Sequence, residues 1–319
     1  ALMRRMSSAV RLLASSCIEE TFPESGSATS EQVGASSTAL EAALNGIPSQ
    51  MAQGYYVYGS QTHETDMAYP MYMIALTEML GDMYPLGSNS GYDWYRNYNT
   101  CDREFGEKSY FAYLPWFTLY RFIKAANDVI AAVDFETAPD NLKGLASVAY
   151  ACRAFDYYML MVLFEPVETG YTDISAVKGL TVPIVTEATT GDDAKQNARA
   201  THEEMVKFIL SDLDKAEAGL ANYTPSSKNF PDLSVVYGIK AKVYLWDEDY
   251  AKAAEYAAKA IETAKANKAV PMTKAQLTDL KTGFNTATAG WMWYIHYSAE
   301  TMGNLCNFTG WMSGEADWG

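Results

Sequence analysis

Residues 234–265 read SVVYGIKAKVYLWDEDYAKAAEYAAKAIETAK and carry the spacing that decides the fold. Small residues stand at Ala241, Ala253 and Ala260, twelve and then seven residues apart, and Tyr244 follows the first of them by three. Tetratricopeptide repeats use this order to bring two antiparallel helices close together. The stretch therefore predicts two helices joined by a short acidic turn. One such pair cannot bury its apolar faces alone, so we expect further helix pairs to stack on it.

Apolar periodicity predicts more helices on the amino-terminal side of this pair. The predicted helices cover residues 38–51, 71–83, 116–133, 141–164 and 201–220. Thr201 and Glu204 form a capping box at the start of the last helix, and Pro115 is expected in the first turn of the 116–133 helix. Residues 165–198 hold Gly, Pro, Thr and Asp, and are expected to form a long loop. The predicted fold class is all-α, with helix pairs forming a scaffold that long loops decorate.

The 141–164 helix is expected to turn one apolar stripe to the core. The stripe consists of Leu145, Val148, Ala149, Cys152, Phe155 and Met159. Cys152 is therefore expected to be a small buried hydrophobe. Cys101 and Cys306 could form a disulfide, and the sequence leaves that pairing open.

The composition excludes several classes of function. The 319 residues are 49% hydrophobic and 20% charged, which is enough core-forming material for a large globular domain. Lys and Arg number 24 and Asp and Glu number 39, a net charge of −15, so nucleic-acid binding through phosphate neutralisation is excluded. No apolar run approaches the roughly 18 residues that a membrane-spanning helix needs. The excess of 23 Tyr and 7 Trp over 12 Phe favours rings with a polar tip, which suit wet, stacked surfaces as well as cores.

The amino-terminal residues resemble a bacterial lipoprotein signal. Residues 3–17 run from a basic start through small and apolar residues to Cys17. In such signals the cysteine becomes the lipidated first residue of the mature chain, and each buried CH₂ of its acyl chains contributes about 0.8 kcal/mol to anchoring. The alternative is a basic amphipathic leader whose apolar stripe is Leu2, Met6, Val10 and Leu13. The expected organisation is a signal with its lipidated cysteine at 1–17, an extended tether at 18–37, and a helical domain at 38–319 that continues beyond the last residue.

Signatures of catalysis and of metal binding are scarce. The two His-Glu pairs, at 63–64 and 202–203, lack the second His four residues on that a zinc protease helix requires. Two acidic clusters, at 192–193 and 247–249, are expected to be solvated faces rather than cation sites. The sequence therefore predicts a protein that is not an enzyme and that uses no cofactor or metal.

Residues 91–99, GYDWYRNYN, combine rings and hydrogen-bonding groups within one predicted loop. A sugar presents flat apolar C–H faces and a rim of hydroxyls. A carbohydrate site therefore needs exposed rings for stacking and planar amide, carboxylate or guanidinium groups for hydrogen bonds. This loop offers both. The alternative is that Trp94 and Tyr95 pack the loop onto the helical core.

Five segments of the chain, taken in order, carry a family resemblance. They are YRFIKAANDVI at 120–130, ACRAFDYY at 151–158, GLTVPIV at 179–185, the segment at 199–216 and the helix pair at 234–265. Together they resemble the SusD/RagB family, which are surface glycan-binding lipoproteins of Bacteroidetes. The family builds its scaffold from tetratricopeptide-like helices, as expected here from the residues alone.

The resemblance implies a lipoprotein on the surface of the outer membrane, held there through its lipid anchor only. It would capture oligosaccharide for a SusC-like TonB-dependent transporter. The segment at 91–95 matches a Gly-x-Asp-Trp-Tyr stretch of the family. The ligand-binding residues implied by that match and by aromatic loops further on are Asp93, Trp94, Tyr95, Arg96, Asn97, Tyr297 and Trp311. Asn127 and Arg153 lie on scaffold helices and are expected to be buried hydrogen-bonding groups instead.

Two other functions stay open at this stage. A tetratricopeptide-like scaffold could bind a peptide or a protein partner. An all-α glycoside hydrolase would need two carboxylates at a defined separation, which a sequence does not give.

Overall fold

The computed structural model describes residues 33–34, 36–52, 110–281, 283 and 286–296. Eight helices, and no strand beyond a single antiparallel bridge between Leu180 and Thr201, occur in these residues. The helices are α1 (Ser37–Met51), α2 (Tyr110–Ala131), α3 (Asp140–Phe164), α4 (Gly191–Lys195), α5 (His202–Leu220), α6 (Leu233–Trp246), α7 (Tyr250–Ala266) and α8 (Lys274–Leu277). The predicted all-α fold class is confirmed.

The predicted boundaries of α1, α3, α5, α6 and α7 agree with the structure to within one or two residues. The capping box of α5 is confirmed, because the Thr201 hydroxyl accepts from the Glu204 N–H at 3.2 Å and a Glu204 carboxylate oxygen accepts from the Thr201 N–H at 2.8 Å. The helix predicted at 71–83 lies outside the described residues.

The predicted start of α2 was wrong. This helix begins at Tyr110, so Pro115 lies in its second turn rather than its first. Leu114 and Pro115 are buried, and their burial opposes the cost of the one backbone hydrogen bond that a proline forfeits. The Thr118 hydroxyl donates to the Leu114 carbonyl at 2.8 Å and so satisfies an acceptor of the same turn.

Helix α3 is the centre of the molecule. It packs against α1, α2, α5 and α6, and its residues are buried almost without interruption from Gly144 to Tyr157. The predicted core stripe is confirmed, because Leu145, Val148, Ala149 and Cys152 are buried in the core and Phe155 and Met159 pack against it. The burial of the other faces of the helix was not predicted. A helix that neighbours cover on several sides buries its residues all round. The prediction that Cys152 is a buried small hydrophobe is confirmed.

Helices α6 and α7 form the pair from which the fold was inferred. Three residues join them, so they run antiparallel and pack along their length. Ala253 and Ala260 are buried in the contact, as their spacing predicted. The ring of Tyr244 stacks on that of Tyr256, with centroids 5.4 Å apart. Helix α6 also packs against α5, which joins the pair to the rest of the scaffold.

Candidate functional site

The residues expected to contact ligand lie outside the described part of the chain. They are Asp93, Trp94, Tyr95, Arg96, Asn97, Tyr297 and Trp311, and the same holds for Cys17, the expected lipidation site, and for Cys101 and Cys306. The described helices show where residues 53–109, which contain the predicted ligand segment at 91–99, are joined to the scaffold. Residues 53–109 connect the end of α1 to the start of α2, and these two helices pack against each other.

Tyrosine hydroxyls fasten the loop after α3 to the helices. The Tyr120 hydroxyl donates to the Pro183 carbonyl at 2.6 Å. The Tyr157 hydroxyl donates to the carbonyl of Val185 at 2.9 Å and accepts from its N–H at 2.7 Å. Burial raises the pKa of both tyrosines well above the ordinary value, so the hydroxyls stay neutral donors. These rings belong to the scaffold.

Arg153 lies at the centre of a buried polar network. Its guanidinium donates to both carboxylate oxygens of Asp212, at 2.7 and 2.8 Å, in the bidentate geometry that arginine favours. A third nitrogen donates to Asn127 at 2.7 Å and to Glu187 at 2.6 Å. The side chains of Arg153 and Asp212 are only 3% and 4% exposed. The rings of Tyr150 and Phe208 each lie 5.2 Å from the guanidinium carbon. The prediction that Asn127 and Arg153 are buried hydrogen-bonding groups is confirmed.

The two acidic partners of Arg153 in this network, Asp212 and Glu187, were not predicted from the sequence. Asp212 falls on the apolar stripe of α5, and an acidic residue at such a position is a usable signal for a buried ion pair. Glu187 stands in a loop and has no comparable signal. The carboxylates of Asp212 and Glu187 raise the pKa of Arg153 against the opposing effect of burial, so the guanidinium is charged at any physiological pH.

A cleft of about 590 Å³ opens beside Glu187, where the loop runs into α4. Its polar lining includes Thr186, Thr189, Asp193, Gln196 and Asn197. Thr190 and Asp193 form a capping box at α4, and the Asn197 amide donates to the Ile184 carbonyl at 2.5 Å, so the walls are held by their own hydrogen bonds. Thr, Gln and Asn side chains can bond sugar hydroxyls, but the lining contains no aromatic ring on which a sugar could stack.

The aromatic residues after α8 are partly packing groups. The Trp293 indole N–H donates to the Asn229 carbonyl at 3.0 Å, and its ring meets Phe155 of α3 edge to face at 5.0 Å. The Lys228 ammonium donates to the carbonyls of Ala289 and Trp291 and so ties this segment to the loop before α6. Trp293 therefore docks its segment on the scaffold.

His202 joins three helix ends. Its Nδ1 lies 2.9 Å from a carboxylate oxygen of Glu165, which follows α3, and its Nε2 lies 3.2 Å from a carboxylate oxygen of Asp247, which follows α6. The Trp246 indole N–H donates to Glu165 at 2.9 Å. Burial alone would lower the pKa of His202, but the two carboxylates outweigh it and raise that pKa. Because the carboxylates lie on opposite ring nitrogens, they do not converge on a common point as metal ligands would.

Replacing His202 with Gln is expected to lower the free energy of unfolding by about 0.5–1 kcal/mol at pH 6 and by much less at pH 9. The effect at pH 6 is small because the ion pairs of His202 are partly exposed. Because the pKa of His202 is raised in the folded state, its charged form stabilises the folded protein fully at pH values below the ordinary pKa of 6.5. This contribution is lost as the pH rises through the raised pKa. Urea unfolding of both proteins at several pH values measures the difference. His296→Gln, at an exposed position, is the matched control. A difference between wild type and His202→Gln that stays constant with pH would contradict the charge-based account.

Within the described ranges, no three His, Cys, Asp or Glu side chains come together as a metal site would require. Asp192 is exposed and pairs with Lys195 at 2.8 Å, which confirms the solvated interpretation of that acidic cluster. None of the helices that the structure describes is long and apolar enough to cross a membrane.

Comparison with known proteins identifies the family. Residues 56–245, more than half of the chain, match the SusD-like family described as starch-binding and associating with the outer membrane. SusD-like protein P2 of Formosa agariphila is 30% identical over 143 residues, which are 44% of this chain and 25% of that protein. The chain belongs to the SusD-like family, as its five segments indicated.

Solved structures show the same fold. A SusD-like carbohydrate-binding protein from Bacteroides vulgatus has a TM-score of 0.63 at 24% identity, over 81% of this chain and 50% of that chain. A SusD superfamily protein from Bacteroides thetaiotaomicron has a TM-score of 0.58 at 18% identity, over 83% of this chain and 54% of that chain. The chain spans about half of the length of these structural relatives, and a quarter of the length of SusD-like protein P2.

Proposed function

We propose that the protein captures oligosaccharide at the cell surface and delivers it to a SusC-like TonB-dependent transporter in the outer membrane. The observation that carries this proposal is the match of residues 56–245 to a family described as starch-binding and associating with the outer membrane. The matched range contains residues 91–99, the segment in which rings and hydrogen-bonding groups alternate. A lipid on Cys17 would hold the protein at the membrane.

The chemistry of the segment suits reversible capture. Trp94 and Tyr95 would stack on the apolar faces of sugar rings, and Asp93, Arg96 and Asn97 would bond their hydroxyls. Tyr297 and Trp311 would extend the aromatic surface. Each stacked ring contributes about 0.5–1.5 kcal/mol beyond its buried area, so affinity for short oligosaccharides should be modest. Modest affinity suits a protein that must release its ligand to a transporter.

The role assigned here is binding without hydrolysis. A glycoside hydrolase would shorten an oligosaccharide that is incubated with the protein, whereas a capture protein would return it intact. Chromatography of the sugars after incubation therefore separates these two functions.

Replacing Trp94 with Ala is expected to weaken binding to soluble starch about tenfold, because the ring loses both its stacking and its buried apolar area. Affinity electrophoresis in gels that contain starch measures the change. The control is Tyr171→Ala, which removes a ring that is almost fully exposed on the loop after α3. Equal retardation of wild type and Trp94→Ala would reject the stacking role of Trp94. Wild-type protein that no polysaccharide retards would reject capture itself and favour a protein-binding scaffold.

A further inference from the structure

The cleft where the loop after α3 runs into α4 has the size and the fixed walls of a small-molecule site. Its volume of about 590 Å³ falls within the range of about 300–1,000 Å³ that such sites occupy. Its described lining residues come from one stretch of the chain, residues 184–198, in which the structure describes every residue. We call this site the loop cleft.

The first wall of the loop cleft, residues 184–189, is held by buried side chains of α2 and α3. The Tyr157 hydroxyl donates to the Val185 carbonyl and accepts from the Val185 N–H, at 2.9 and 2.7 Å. The Asn127 amide donates to the same carbonyl at 3.2 Å, and Arg153 donates to Glu187 at 2.6 Å. Because Asn127, Arg153 and Tyr157 are buried, this wall is fixed to the core of the protein rather than by surface contacts.

The second wall, residues 192–198, is joined to the first wall and to the scaffold. The Asn197 amide donates to the Ile184 carbonyl at 2.5 Å and so links the two walls directly. Arg199, which follows this wall, donates to the carbonyl of Thr181 at 2.6 Å and to that of Phe164, the last residue of α3, at 2.9 Å. A site whose walls are ordered before binding loses little conformational entropy when a ligand enters.

Hydrogen-bonding groups in the loop cleft remain available after the walls are formed. Among the described residues, neither the Gln196 side-chain amide nor the Asn197 side-chain oxygen has a hydrogen-bond partner. The hydroxyls of Thr186 and Thr189 lie 3.3 Å apart, and only one of the two can donate to the other. The second hydroxyl proton is therefore available to a ligand. The loop cleft thus offers uncharged donors beside uncharged acceptors.

The lining favours a neutral polar ligand. No Lys or Arg is among the described lining residues, so a phosphate or a sulfate would meet no opposite charge. These residues include no aromatic ring either, so a ligand cannot bind by stacking on them. The aliphatic groups of Ile184, Ala188 and Ala198 can contact the C–H groups of a saturated ring while the amides and hydroxyls bond its hydroxyls. A sugar unit has both kinds of group.

Two carboxylates also line the loop cleft, and both already have partners. Asp192 pairs with Lys195 at 2.8 Å, and one oxygen of Asp193 accepts from the Thr190 hydroxyl at 2.6 Å. A cation would have to displace these partners. The other oxygen of Asp193 has no hydrogen-bond partner in the part of the chain that the structure describes, and it can accept from a sugar hydroxyl.

We infer that the loop cleft binds one or two neutral sugar units through their hydroxyls. The inference rests on the proposed function, in which the protein meets carbohydrate. It adds a site in residues 184–198 that differs from the segment at 91–99 because it uses no aromatic ring. Binding without stacking should be weak, with a Kd on the order of 1 mM.

The test titrates maltose into the full chain labelled with ¹⁵N and follows the amide resonances. The amides of residues 184–198 are expected to shift along a saturable curve. Gln196→Ala should raise the Kd of these shifts at least fivefold, since the amide is lost while the hydrogen bonds of the walls stay intact. Asn141→Ala removes an exposed amide at the start of α3, outside the cleft, and is the matched control. Glucose should bind as well, whereas glucuronate, which carries a carboxylate, should not.

Several results would overturn the inference. One is the absence of shifts at residues 184–198 with maltose and glucose, whether the cleft is open or another segment of the chain fills it. Another is an equal Kd for wild type and for a Gln196→Ala protein whose dispersed spectrum shows that it is folded. Glucuronate that binds as tightly as glucose would contradict the selection of a neutral ligand.

The proposed function has a separate readout. Retardation of the wild type by starch, together with unshifted amides at residues 184–198, would keep capture and reject only the loop cleft. Shifts at these residues in a protein that no polysaccharide retards would reject capture and keep the sugar site.

Discussion

Replacing Arg153 with Met is expected to lower the free energy of unfolding by about 3–5 kcal/mol. The substitution keeps most of the side-chain volume but leaves the carboxylate of Asp212 buried without its cation, and removing one member of a buried pair carries a penalty of this size. Glu187 and Asn127 lose a hydrogen-bond donor at the same time. Urea unfolding, followed by far-ultraviolet circular dichroism, measures the loss.

Two variants define the cause of that loss. Lys178→Met breaks the ion pair with Glu168, in which both side chains are well exposed, and should leave the free energy of unfolding almost unchanged. The double variant Arg153→Met and Asp212→Leu removes both charges and should recover a large part of the stability. An Arg153→Met protein within 1 kcal/mol of wild type would show that the network contributes little.

Replacing Asp156 with Val, unlike Arg153→Met, is expected to stabilise the protein and to raise the free energy of unfolding by about 1–3 kcal/mol at pH 7. Asp156 is fully buried on α3, and neither of its carboxylate oxygens has a hydrogen-bond partner among the described residues. An unsatisfied buried polar group costs about this much, and Val fills a similar volume with apolar atoms. Asp156 lies only three residues from Arg153, yet the guanidinium bonds Asp212 instead.

The gain from Asp156→Val should depend on pH. Burial raises the pKa of Asp156 well above its ordinary value of 3.8, so the folded protein keeps a proton that the unfolded chain loses. The contribution of Asp156 to the free energy of unfolding therefore falls as the pH rises above about 4, and Asp156→Val removes this contribution. The free energies of unfolding of wild type and Asp156→Val should differ little at pH 4 and much more at pH 7. Asp128→Val, at an exposed position of α2, is the control and should not raise the free energy of unfolding at either pH. A gain that is equal at both pH values would contradict the account.

The sequence was sufficient for features that depend on neighbours along the chain. The pair α6 and α7, the capping box at Thr201 and the length of α3 all follow from local spacing and local hydrogen bonds. The burial of α3 on all sides did not follow, because it depends on which helices cover it. Small residues such as Ala146, Ser147 and Ala151 carry little periodic signal of their own.

Buried polar contacts between residues far apart in the chain could not be predicted from the sequence. Asp212 lies 59 residues from Arg153 and Glu187 lies 34 residues from it, so no local pattern joins them. His202 meets Glu165 and Asp247 from opposite directions along the chain. The ligand loop differs from these polar contacts, because residues 91–99 were recognised from their local sequence. Their role in binding remains a prediction.

The two hydrogen bonds between Tyr157 and Val185 should slow amide hydrogen exchange in the loop after α3. Amide hydrogen exchange proceeds through local or global opening, and segments that open together form one cooperative unit. The Val185 N–H can reach solvent only when it leaves the buried hydroxyl of Tyr157. The Val185 N–H should therefore exchange only when this part of the loop detaches from α3, and more slowly than exposed amides of the same loop.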